Sequence, residues 1–68
     1  MKTKMERFII QDSQSGCMIE SFATFEEAFS TLRGYVKEDI MEMDYTPNFY
    51  EIKDIETGKL FDEDGNQK

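Results

Sequence analysis

Histidine and tryptophan are absent from this 68-residue chain, cysteine and proline occur once each, and eight basic side chains stand against fifteen acidic ones. Each shortage removes a class of function. A single cysteine, Cys17, forbids an intramolecular disulfide, and without histidine no Cys/His zinc site can be assembled. The same lack deprives Cys17 and the serines at positions 13, 15, 21 and 30 of their usual general base, so no nucleophilic constellation forms. A glycine-rich phosphate loop is missing, as is any basic stretch interleaved with aromatics. The acidic run Asp62-Glu63-Asp64-Gly65-Asn66 lacks the alternating oxygen ligands of an EF-hand loop, because Leu60 falls at the first ligand position. With no catalytic residues, no cofactor and no metal ligands in view, the sequence reads as non-enzymatic.

Long hydrophobic runs are missing too. Met1-Lys2-Thr3-Lys4 is basic, but Met5-Glu6-Arg7 and only three consecutive apolar residues follow it, too few for a signal-peptide core or a membrane span. The expectation is an untargeted, cytoplasmic protein with no membrane contact. The net charge of −7 arises entirely in the second half: residues 1–37 carry five basic and five acidic side chains, residues 38–68 three and ten. Such a surface repels phosphates, which excludes direct nucleic-acid binding, and attracts basic protein surfaces instead.

What is present suffices for one domain, residues 1–68, with an ordered core of about 5–62 and an acidic tail, 63–68, expected to fray. Six phenylalanines and three tyrosines must supply much of a marginal core. The segments Phe8–Glu20 and Tyr50–Asp62 form a near-repeat, aromatic-x-Ile-x-Asp-x-x-Ser/Thr-Gly. In each, the Asp can accept bonds from following amides and the Gly can take the positive φ of a four-residue hairpin loop. Gene duplication and shared hairpin chemistry both account for the likeness. With Ser13–Gly16 as the loop, simple alternation pairs Gln11 with Met18 and Ile10 with Ile19, and turns Phe8, Ile10, Ile19, Tyr50, Ile52 and Phe61 inward.

Between the hairpins, Thr24-Phe25-Glu26-Glu27 reads as a capping box that starts a helix at Phe25. Phe25, Ala28, Phe29, Leu32, Tyr35, Val36, Ile40 and Met43 share one arc of roughly 140°, which should lie on the sheet. Pro47 disfavours helix at Thr46 and sets the stop near Met43 or Asp44. The fold class is therefore α+β, β-β-α-β-β, with one helix on a small, largely antiparallel sheet. The fourth strand is the weakest, and a three-stranded sheet plus tail is the alternative.

The pattern Gly-x-x-Ile-Glu-x-Phe-x-Thr-x-Glu-Glu-Ala from Gly16 to Ala28 is followed by Tyr35, Asp39, Tyr45 and Pro47-Asn48-Phe49-Tyr50-Glu51-Ile52. It resembles small uncharacterised proteins of phages, plasmids and chromosomes of low-GC Gram-positive bacteria. The likeness spans residues 8–54. It implies a mobile-element origin and carries no activity with it.

Asp39 interrupts the apolar arc of the helix and needs partners, either a tyrosine hydroxyl such as that of Tyr50 or amides of the Asp44–Asn48 turn. On the sheet face away from the helix, alternation gathers Ile9, Met18, Phe22 and Leu60 among Gln11, Glu20, Glu51 and Lys53, an apolar group of the kind found at interfaces. On the helix, Gly34, Met41, Glu27 and Glu38 point outward. Gly34 costs roughly 1 kcal/mol relative to alanine, a cost that a close-approaching partner or simple tolerance explains equally. These features give a protein-interaction domain whose acidic surface is built from Glu38, Asp39, Glu42, Asp44, Glu51, Asp54 and Glu56. The candidate contact residues are Ile9, Met18, Phe22, Leu60, Glu38, Glu42, Asp44 and Glu51. Two alternatives stand beside it: a homodimer joined through the open face or a strand edge, and a carboxylate mimic of nucleic acid that blocks a basic host surface.

Overall fold

The computed structural model describes residues 6–68. Its elements are β1 (Phe8–Asp12), β2 (Met18–Phe22), α1 (Phe25–Met41), β3 (Tyr50–Asp54) and β4 (Leu60–Phe61). The four strands form one antiparallel sheet in the order β2-β1-β3-β4, so the α+β architecture is the one read from the sequence. The fourth strand does form, though only two residues long.

Both hairpin loops use the chemistry of the near-repeat. Asp12 Oδ1 accepts the amide of Gln14 at 2.7 Å, and the Gly16 amide returns to the Asp12 carbonyl at 2.6 Å with Gly16 at φ 78°. In the second loop Asp54 Oδ1 accepts the Glu56 amide at 3.0 Å, and Gly58, at φ 79°, donates to the Asp54 carbonyl at 2.7 Å. The two hairpins then meet through β1 and β3. Phe8 faces Asp54, Ile10 faces Ile52 and Asp12 faces Tyr50, so residues equivalent in the repeat exchange places about the central Ile10–Ile52 pair. The near-repeat is thus also a local two-fold in space.

One expected pairing is overturned. Gln11 does oppose Met18, but Ile10 opposes Glu20, because Ile19 is the extra residue of a β-bulge. A one-residue slip exchanges the faces of everything beyond it. Ile19 is consequently exposed, Phe22 packs against the core, and Glu20 accepts the Tyr35 hydroxyl of the helix at 2.7 Å.

Thr24 caps α1 by accepting the Glu27 amide at 3.2 Å. Ala28, Leu32 and Val36, spaced one turn apart, are buried with Ile10 and Ile52 in a single cluster, ringed by Phe8, Phe22, Phe25, Phe29, Tyr35, Tyr50 and Phe61. Phe25 sits edge-on to Phe8 and Phe61, with centroids 5.8 and 5.1 Å away, and stacks on Phe29. The far end of the helix departs from the expected arc. Seventeen helical residues span about 25 Å, whereas five strand residues span about 17 Å. With the first turn anchored by Phe25, the overhang falls at the other end, where Ile40 is 54% exposed and Met43 94%. The helix closes in a Schellman arrangement, Asp44 N–H to Asp39 O and Met43 N–H to Ile40 O, with Met43 at φ 59° where glycine is the usual residue.

Residues 62–68 are folded rather than frayed. Asp62 Oδ1 accepts the amides of Asp64 and Asn66, each at 2.9 Å, and Gly65 takes φ 86°, a third turn of the Asp/Gly kind. A Cβ at Gly65 would lie 3.1 Å from the Phe29 ring, so this glycine also lets the tail seat against the helix. Gln67 bridges back to Phe61, and the Lys68 amide donates to the Leu60 carbonyl at 2.9 Å. Glu63 is buried.

Asp39 has the expected partner. The Tyr50 hydroxyl donates to Asp39 Oδ2 at 2.9 Å, and burial together with that carboxylate pushes the Tyr50 hydroxyl up to about 12. A group whose folded pKa lies above its unfolded value near 10 stabilises fully below that value and loses the contribution as pH rises through 12. Stability should therefore fall between about pH 10 and 12. In Tyr50→Phe this part of the decline, followed by circular dichroism, should disappear; an unchanged alkaline transition would assign it to another group.

Candidate functional site

The eight expected contact residues do not form one surface. Phe22 is withdrawn from the open sheet face by the bulge. Ile9 and Leu60 lie on that face but are half-buried, which leaves Met18, 63% exposed, as the exposed apolar member of the four. The face is also less free than alternation suggests. Glu51 is only 6% exposed, with Gln11 Nε2 donating to one oxygen at 2.6 Å and Lys68 Nζ to the other at 2.7 Å. Burial raises the Glu51 pKa, and the Lys68 and Gln11 bonds outweigh it, for a net shift below the ordinary carboxylate value.

Three further members of the expected acidic surface are engaged as well. Arg7 holds Asp54 through Nε and Nη2, both at 2.9 Å, and keeps that carboxyl well below the usual carboxylate range. Glu56 lies 3.4 Å from the same guanidinium. Asp39 is half-buried against Tyr50. Glu56 stays largely exposed beside Arg7; the acidic members that are both exposed and without a cation partner among the described residues are Glu38, Glu42 and Asp44, at the C-terminal end of the helix.

These carboxylates share that end with three exposed apolar side chains: Ile40, Met41 (74% exposed) and Met43. Along its outer side, Gly34, Lys37, Glu38, Met41 and Glu42 line an open groove of about 380 Å³. At Gly34 the groove opens to solvent, since a Cβ there would meet nothing within 4 Å. Ile40 and Met43 counted as core residues in the helical pattern, so their part in this surface was hidden in the sequence. Gly34 and Met41 are exposed, as the helical period implies.

A second assembly escaped the sequence. Buried Glu63 accepts the Tyr45 hydroxyl at 2.7 Å and the Asn48 amide, while its carbonyl accepts Arg33 Nη1 at 3.1 Å. The Glu63 bond raises the Tyr45 pKa. This is a latch between the tail, the helix and the loop before β3. The Asp62-x-x-Gly65 spacing, repeating the Asp/Gly logic of the hairpins, was the signal that the tail would turn back.

Every buried side-chain nitrogen and oxygen among the described residues has a partner. Among the described residues, no group of three or more His, Cys, Asp or Glu is placed to hold a metal ion, and no helix is long and apolar enough to cross a membrane. Comparison with protein-family models, curated proteins and solved structures returns no match to this chain.

Proposed function

We propose that this chain is a non-enzymatic protein-interaction domain whose contact surface is the C-terminal end of α1, and that its partner presents a basic surface with apolar side chains. The observation that carries this reading is the coincidence of Ile40, Met41 and Met43, all exposed, with the free carboxylates of Glu38, Glu42 and Asp44. On the sheet, by contrast, Asp54 is paired with Arg7, Glu51 with Lys68, and Glu20 accepts the Tyr35 hydroxyl. An apolar patch rimmed by one sign of charge is suited to docking, the apolar part contributing affinity and the charges steering and selecting the partner. The patch does not suit a second copy of the chain, which would bring like charges together. Nor does a surface half made of methionine and isoleucine imitate phosphate groups, which sets nucleic-acid mimicry behind docking.

Affinity capture from the native cell tests the reading with three baits: wild type, Glu38→Lys/Glu42→Lys, and Glu26→Lys/Glu27→Lys. The last pair makes the same charge change at the opposite end of the helix. A protein retained by the wild type and by the 26/27 variant should fall at least about tenfold on the 38/42 variant. Equal recovery on all three baits would remove the surface from the account.

A further inference from the structure

Two positions in this surface carry residues that the isolated domain does not favour. Gly34 lies inside a helix, where glycine is the least favourable residue after proline, and no neighbour requires it. Met43 occupies the left-handed position just after the C-cap residue Glu42, at φ 59°, with its side chain almost wholly in solvent. Departures from local preference with no compensation inside the fold are expected at functional surfaces. Both fall beside the same carboxylates.

We infer that the occupant of the groove is a Lys/Arg-rich amphipathic helix that crosses α1 at Gly34; this rests on the docking reading above. Gly34, Glu38 and Glu42 form one i, i+4 row on the helix surface, and Lys37 and Met41 form the next. The groove between such rows accepts the side-chain ridge of a second helix, and a glycine in the row permits the axes to approach at the short end of the usual range. Glu38 and Glu42, one turn apart, match basic residues one turn apart on the partner. Met41 and Met43 supply adaptable apolar contacts on either side of the row. Between Lys37 and Asp44 the chain carries one cation against Glu38, Asp39, Glu42 and Asp44, so the complementary charge is positive.

The probe is a synthetic amphipathic helix of leucine and lysine with its leucines at heptad a and d positions, titrated into the full chain. Gly34→Ala and Met43→Gly should each raise the thermal midpoint by several degrees and weaken peptide binding by about tenfold or more. The Glu38→Lys/Glu42→Lys variant should also lose binding, and Glu26→Lys/Glu27→Lys should retain it. If Gly34→Ala binds as tightly as wild type while the 38/42 reversal abolishes binding, helix crossing at Gly34 is wrong and the docking surface stands. Binding unaffected by the 38/42 reversal overturns both.

Discussion

Alanine at Leu32 should cost about 2–5 kcal/mol, out of a total on the order of 3–10 kcal/mol for a chain of this length. Leu32 is fully buried at the middle of α1, between Ala28 and Val36 on the turn before and after, and the fully buried apolar cluster it joins is small. In so small a core the surrounding groups cannot collapse into the space without giving up their own contacts with Ile10 and Ile52, so the cavity penalty adds to the lost transfer energy. Leu32→Met, which conserves volume, should lose less than about 1.5 kcal/mol. Urea unfolding followed by circular dichroism reads both. A Leu32→Ala loss below about 1 kcal/mol would mean that the helix is not seated on the sheet through this face.

Removing the Glu63 carboxylate should have the next largest effect. Glu63→Ala takes the acceptor from the Tyr45 hydroxyl and from the Asn48 amide at once, two bonds to a charged group worth together about 2–4 kcal/mol where water does not replace them. The loss should be local as well as global. The loop from Asp44 to Phe49 is otherwise held by few contacts, chiefly the Ser13 bonds to the Asn48 and Phe49 carbonyls, so its amide exchange should accelerate ahead of the strands. Glu63→Gln keeps one acceptor oxygen and should recover about half of the stability. Equal exchange rates at Asn48 in Glu63→Ala and wild type would show that the loop is held by something else.

The parts of the fold legible in the sequence were those governed by local chemistry. Asp12 and Asp54, each followed by a serine or threonine and then a glycine, specify their loops within five residues, and Thr24 specifies the helix start within four. The bulge at Ile19 was not legible, because it depends on how two twisted strands meet and not on the β2 sequence itself. That one residue moved Phe22 from the open face to the core. The state of the carboxylates was hidden for a related reason. Glu51 and Asp54 look like surface acids until Lys68 and Arg7, 17 and 47 residues away, are brought to them by the fold.

The candidate site was half legible. Gly34 and Met41 already pointed outward, and Glu38, Glu42 and Asp44 were already in the acidic surface. Ile40 and Met43 obey the helical period as faithfully as Leu32 does, but periodicity does not say how far the sheet extends beneath a helix. Helix length against strand length decides it for Ile40, which lies on the excess of about 8 Å, whereas Met43 is exposed because the chain has left the helix at Met41 and turned through a left-handed residue.

The central claim is that contact with a partner is made at the helix end and not on the open sheet face. Amide chemical-shift mapping of the labelled domain, with the captured partner added, tests it most directly. The account predicts perturbations concentrated from Gly34 to Asp44, with the amides of Ile9, Met18 and Leu60 unchanged. Perturbations centred on Ile9, Met18 and Leu60, with Gly34 to Asp44 silent, would contradict it.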